Sequence, residues 1–180
     1  SDIAAEGRRA GLPVPFLRPA ALATDTALAI DVWRHAWSES ERHFDRRFDC
    51  SVWLQPTSPL RTPEDVTTTL ETMISGRHHA AATVSRVPGH YVPEKQLLIK
   101  DGVLSVMEGV RPVSNRQMAG EYYVRNGLCY AALRQTVVDM GKIIEIDCAP
   151  VISDGYVANI DDPFDLRLAN LLASGLLSPI

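Results

Sequence analysis

Gln55, Thr57, Ser58 and Arg61 are the side chains of this sequence that stand where a polar ligand would be held. They fall in the octapeptide Leu54-Gln55-Pro56-Thr57-Ser58-Pro59-Leu60-Arg61, directly after the apolar run Cys50-Ser51-Val52-Trp53-Leu54. A run of that length suits a strand buried in a sheet. Thr62, Pro63, Glu64 and Asp65 follow, then an apolar rhythm at Val66, Leu70, Met73 and Ile74. This is a helix start, with Thr62 as N-cap, Pro63 at the first helical position and acids in the first turn. The octapeptide is therefore a tight strand-to-helix turn, and open α/β sheets bind ligands at the carboxyl ends of their strands. Pro-Thr-Ser-Pro is equally turn chemistry leading into a cap; the pattern alone leaves both readings open.

Other stretches carry chemistry. Asn159-Ile160-Asp161-Asp162-Pro163-Phe164-Asp165 places carboxylates ahead of a helix. Such groups suit Mg²⁺, which prefers oxygen ligands and bridges to phosphates. They also suit helix capping. Asp162 and Asp165 read as caps and Asp161 as the metal candidate. Asn115-Arg116-Gln117 lies in a polar loop, where Arg116 could grip a carboxylate or phosphate with two parallel hydrogen bonds, although an exposed loop Arg is more often simply solvated. Tyr130, four residues after Asn126, offers a ring and a hydroxyl but is as readily a core residue. Lys95 is a surface lysine or a cation facing phosphate. The five histidines show no metal-ligand spacing.

These groups need a scaffold. Asp2 to Gly11 reads as a helix with a glycine C-cap. Thr24 or Asp25 is expected to cap a helix running to about residue 44, with Ile30, Trp33 and Trp37 on its buried face. Ala80–Ser85 reads as a buried strand. Gln96–Lys100 and Val103–Val106, joined by Asp101-Gly102, read as a hairpin. Tyr122–Leu133 is expected to be a strand interrupted at Asn126-Gly127. A short helix from Arg134 to Met140, strands at Ile143–Ile146 and Val157–Ile160, and a last helix opened by Asp162-Pro163 complete the chain. Helices alternate with short apolar strands, so the class is α/β, a mainly parallel Rossmann-like sheet flanked by helices.

The chain has 180 residues, 46% hydrophobic and 22% charged, with a formal net charge of −4. That suits one domain with a core. No basic block marks nucleic acid as a partner. No apolar run approaches the roughly 20 residues of a membrane span. Cys50, Cys129 and Cys148 form no C-x-x-C pair, and Cys50 and Cys129, in apolar contexts, read as reduced core thiols of a cytoplasmic protein. G-x-G-x-x-G, Walker, G-x-S-x-G and H-E-x-x-H strings are absent, which removes the motifs of dehydrogenase, P-loop kinase, hydrolase and zincin readings.

The octapeptide closely resembles the L-Q-P-T-S-P-L-R segment of the acylneuraminate cytidylyltransferases, which activate sialic and related nonulosonic acids. Further elements resemble that family in its order. They are Gly11 to Pro19 with Leu22-Ala23-Thr24-Asp25, then Asn115-Arg116-Gln117, then Arg125-Asn126-Gly127-Leu128-Cys129-Tyr130, then Ala158-Asn159-Ile160-Asp161. The resemblance implies a nucleotidyltransferase that moves CMP from CTP to a nonulosonic sugar acid and releases pyrophosphate, with Mg²⁺. It implies that Arg18 and Thr57 line the nucleotide, that Gln55, Arg116, Asn126 and Tyr130 contact the sugar, that Lys95 faces phosphate or sugar, and that Asp161, with Asn159, binds the metal. It implies a homodimer, for which residues 91–121 are the dimerisation insertion.

The departures are specific. Ala29 stands where many relatives have Ser, and Asn159 where many have the first Asp of D-I-D. The family's P-A-R-x-G-S-K phosphate loop does not occur in these residues, and the first βα unit carrying it is expected upstream of Ser1; without it, productive CTP binding is not expected. A cytidylyltransferase for the eight-carbon acid Kdo, and a non-catalytic sugar-nucleotide-binding or dimerisation relative, are the alternatives.

Overall fold

A computed structural model describes residues 2–113, 120–154 and 156–175. The helices are α1 (Asp2–Arg9), α2 (Ala29–Phe44), α3 (Pro63–Ser75) and α4 (Pro163–Ala173). The strands are β1 (Cys50–Trp53), β2 (Ala80–Arg86), β3 (Leu97–Lys100), β4 (Val103–Val106), β5 (Tyr123–Leu133) and β6 (Cys148–Ile152). None of these helices is long and apolar enough to cross a membrane.

The central sheet has the order β1-β5-β2-β6. β5 runs antiparallel to both β1 and β2, while β6 runs parallel to β2. Three of the four strands thus share one direction and β5 is inserted against them. The sheet is a mixed one flanked by helices. Its two faces follow from the period of two in a strand. Ala80, Ala82, Tyr130 and Ala132 meet Trp33 and Trp37 of α2 on one face. Ala81, Ala131 and Ala149 meet Met73 of α3 on the other. Small alanines let both helices lie close to the strands, and the two tryptophans fill the space on the α2 side.

Local chemistry explains the elements. Thr62 caps α3 in a reciprocal box with Asp65, as the sequence predicts. The turn between β3 and β4 has positive φ at both Asp101 (52°) and Gly102 (77°), the geometry that favours Asp-Gly in a two-residue hairpin. α2 begins later than expected. Ala27 N donates to Thr24 O and Ala20–Leu22 forms a 3₁₀ turn, so Thr24 and Asp25 close a turn instead of capping the helix, and Leu28 precedes it without a side-chain cap. The strands expected at Ile143–Ile146 and Val157–Ile160 are irregular. The Glu145 carboxylate accepts from the backbone N–H groups of Ile143 and Ile144 at 3.0 and 3.1 Å, which curls that segment. The strand there is β6, which contains Pro150 and tolerates it because it lies at the sheet edge. Gln135–Asp139 is a π-helical turn.

α2 is fastened to the segment after β5 by Glu41 and Arg134. Nε and Nη2 of Arg134 donate to the two Glu41 oxygens at 2.9 and 3.1 Å. Glu41 also accepts from Trp37 Nε1 and Phe48 N. The Arg134 hydrogen bonds, chiefly, hold the Glu41 carboxyl below its usual range. A carboxyl lowered by folding contributes stability above its unfolded pKa of about 4.3, and loses it as pH falls through the lowered folded value. Glu41→Gln is therefore expected to reduce unfolding free energy at pH 7 by about 1–3 kcal/mol, with the gap to wild type closing in acid. Urea titrations at pH 7 and pH 3 measure both quantities; identical midpoints at pH 7 would contradict the assignment.

Candidate active site

The octapeptide leaves β1 as a turn, in which Ser58 N donates to Gln55 O at 3.2 Å with Pro56 at the second position. Arg61 folds back over it. Its Nη2 donates to Gln55 O at 2.8 Å and to Gly127 O at 3.2 Å, and its Nε donates to Leu128 O. The buried Ser58 hydroxyl donates to Asn126 O at 2.9 Å. Arg61 and Ser58 thus clamp two loops together through backbone carbonyls. The sequence placed both where a ligand would be held; the hydrogen bonds they donate among the described residues run to the backbone.

The second loop is a bulge in β5. Ala82 pairs with Tyr130 and Val84 with Arg125, so the residues between Arg125 and Tyr130 face only Thr83. The ladder is broken at Asn126-Gly127, as the sequence predicts. Thr83 fills the gap, its hydroxyl donating to Cys129 O and accepting from Cys129 N. Asn126 is buried, donates to Ser85 Oγ and Ser153 Oγ, and accepts from Leu128 N. Each polar atom of its amide is engaged within the fold, so the geometry gives Asn126 the task of shaping the bulge. Gly127 has φ +74°, and a Cβ there would lie 2.3 Å from Gln55 Oε1 and 2.4 Å from Ser58 Oγ. Glycine is needed both for conformation and for the approach of the octapeptide.

The third loop docks on the first, Ile160 N donating to Thr57 O at 2.8 Å. Beside it Asn159 Nδ2 donates to Asp161 Oδ2 at 2.7 Å. Asp162 and Asp165 form the capping box of α4, which leaves the exposed Asp161 as the available carboxylate. Among the described residues no group of three or more His, Cys, Asp or Glu side chains could hold a metal by itself. A Mg²⁺ ion commonly takes one or two carboxylates and completes its shell with water and phosphate oxygens. Asp161 and the Asn159 amide oxygen fit that sparse donor set.

Three loops therefore converge at the carboxyl end of β1. Gln55 and Thr57 are half-buried, and neither side chain makes a hydrogen bond among the described residues. Tyr130 is buried against Trp33 and Trp37, and burial raises its phenol pKa. Gln55, Tyr130 and Arg125 line a cleft of about 40 Å³ between Trp53 and Ile143. Arg18 and Lys95 are exposed, and no described hydrogen bond or ion pair joins them to this cluster. Arg116 lies outside the described residues. Arg125, which the structure adds to the site, was hidden because its neighbours are distant in sequence. A larger hollow of about 370 Å³ beside the start of α3 is lined by Glu64, Asp65 and Asp154 without a cation, and repels anions. Cys129 is buried, which raises its thiol pKa and removes it as a nucleophile.

Gly127→Ala tests the convergence. It forces a left-handed conformation on a side chain that has no room. The expected loss is about 1–3 kcal/mol of stability, with the near-ultraviolet signal of Trp53 and Tyr130 altered. A variant with wild-type stability and spectrum would show that the two loops do not meet here.

Comparisons with known proteins bear on the fold and the site. No family model matches the chain. It is 28% identical over 173 residues to post-translational flagellin modification protein B of Campylobacter coli, covering 95% of this chain and 72% of that protein. In structure it is similar to CMP:2-keto-3-deoxy-manno-octonic acid synthetase complexed with CTP, with a TM-score of 0.58 and 16% identity over 85% of this chain and 70% of that one. The chain shares the α/β nucleotidyltransferase fold of that synthetase, a central sheet flanked by helices.

Proposed function

We propose that this chain is the catalytic domain of a CMP-sugar-acid cytidylyltransferase, which moves CMP from CTP to a nonulosonic acid and releases pyrophosphate. The observation that carries the reading is the meeting of Gln55-Thr57, the Asn126-Gly127 bulge and Asn159-Asp161 at one end of β1. These stretches are far apart in sequence, and each resembles a site element of the acylneuraminate cytidylyltransferases. The similarity to flagellin modification protein B and the fold shared with a CTP-bound synthetase support it.

In this reading the anomeric oxygen of the sugar acid attacks the α-phosphorus of CTP, and the bond to the bridging oxygen breaks as pyrophosphate leaves. Asp161 and the Asn159 amide oxygen would hold Mg²⁺, which would supply charge neutralisation at the phosphates. Thr57 and Arg18 contact the nucleotide. Gln55, Arg116 and Tyr130 contact the sugar, with Asn126 acting through the bulge. Lys95 faces phosphate. The reduced thiols fit a cytoplasmic setting. A homodimer forms through residues 91–121, whose hairpin leaves Ile99 76% exposed with Val103 and Leu104 beside it, an apolar surface suited to a partner. The synthetase sharing the fold acts on an eight-carbon acid, so Kdo is the second substrate to test.

The test is pyrophosphate release by the full-length gene product with CTP and Mg²⁺. The sugar panel is N-acetylneuraminic, legionaminic, pseudaminic and Kdo acids. Turnover with one nonulosonic acid, reduced roughly 10²-fold or more by Asp161→Ala and abolished by chelation of Mg²⁺, is the expected result. Turnover with Kdo alone selects the second substrate. A folded protein inert toward all four would leave a non-catalytic relative.

A further inference from the structure

The small cleft at the end of β1 is lined by a cation, Arg125, that stands directly before the Asn126-Gly127 element and to which the resemblance gives no role. Arg125 pairs with Val84 on the near side of the β5 bulge and reaches the cleft wall beside Gln55, Trp53 and Tyr130. It is the one cation lining that cleft among the described residues. Arg61, the last residue of the octapeptide, is tied to three carbonyls. Arg125 has no carboxylate within ion-pair distance among the described residues. The acid nearest in influence, Glu145, has its carboxylate turned to the N–H groups of Ile143 and Ile144. The Gln55 amide is likewise without a hydrogen bond among the described residues. Arg125 and Gln55 thus line one recess together with Trp53 and Tyr130.

We propose that Arg125 and Gln55 form an oxyanion subsite that takes the carboxylate of the sugar acid. The inference rests on the function proposed above. About 40 Å³ admits a planar carboxylate and is far below the roughly 300 Å³ or more of a pocket that takes a whole ligand. The planar guanidinium matches a carboxylate with two parallel hydrogen bonds. A phosphate of CTP offers the same charge chemistry. Its tetrahedral bulk fits the recess less well, and the Asp161 side of the site provides for phosphates through the metal. Arg125 is accordingly a specificity residue: it selects acids over the neutral sugars of otherwise similar shape.

The experiment uses the full-length gene product and whichever sugar acid it turns over. Arg125→Ala and the charge-keeping Arg125→Lys are compared with wild type for KM of sugar acid and of CTP. The carboxamide analogue of the sugar is measured as a competitor. Arg125→Ala is expected to raise the KM for sugar acid about 10- to 100-fold, to leave the KM for CTP within about twofold, and to erase wild-type preference for carboxylate over carboxamide. Arg125→Lys is expected to recover part of the loss. A rise confined to CTP would assign the subsite to phosphate and overturn the proposal. So would an unchanged carboxylate preference in Arg125→Ala, or its loss only in Arg116→Ala. Absence of turnover in the wild type is the failure of the proposed function and is read before any variant. Because Arg125 is exposed, melting temperatures are expected to match and to exclude unfolding as the cause.

Discussion

The guanidinium of Arg61 joins parts of the chain that would otherwise not meet. One side chain donates to the carbonyls of Gln55, Gly127 and Leu128. Gln55 O belongs to a turn, where it also accepts from Ser58 N, and the Gly127 and Leu128 carbonyls belong to a bulge, where a carbonyl left without a partner is costly. A single planar, permanently charged donor settles all three and thereby fixes the distance between the two loops. The third loop follows, because Ile160 N reaches Thr57 O only when the octapeptide is held in its turn. The candidate site is in this sense a by-product of backbone bookkeeping.

Features governed by near neighbours were legible in the sequence. Thr62 with Asp65, Asp162 with Asp165, and Asp101-Gly102 each set their local geometry within a few residues, and each is found where the sequence places it. What failed involved partners far along the chain. Arg61 looked like a ligand group because nothing local showed that its acceptors lay 66 and 67 residues away. The partners of the Asn126 amide were likewise out of sight, because Ser85 lies on β2 and Ser153 just beyond β6. Arg125 was given no role because Gln55 and Trp53 are brought to it only by the β1–β5 pairing. The edge strand β6 was obscured by Pro150, which speaks against a strand until the edge position is known.

The central sheet shows the same economy. Ala80, Ala81 and Ala82 run in succession through β2 with almost no exposure. A run of small residues carries little apolar area, yet it lets Trp33 and Trp37 press on one face and Met73 on the other. The large side chains come from the helices and the flat floor from the strands. That floor is also what sets β5 in place, so the bulge is displaced toward the loops rather than into the core.

The bulge has a chemical side as well. Asn-Gly is the dipeptide in which the backbone nitrogen of the glycine most readily attacks the preceding side-chain carbonyl, closing a succinimide ring and expelling ammonia. In the folded chain the Asn126 amide is held by Ser85 and Ser153 at 3.0 and 3.1 Å, and its oxygen is turned toward Leu128 N. Ring closure requires that grip to open. Deamidation at Asn126 therefore acts as a slow molecular clock for opening of the bulge, and the aspartate or isoaspartate it leaves replaces a two-hydrogen donor with an acceptor facing two serines. Ageing of the protein would begin at the junction on which its site is built.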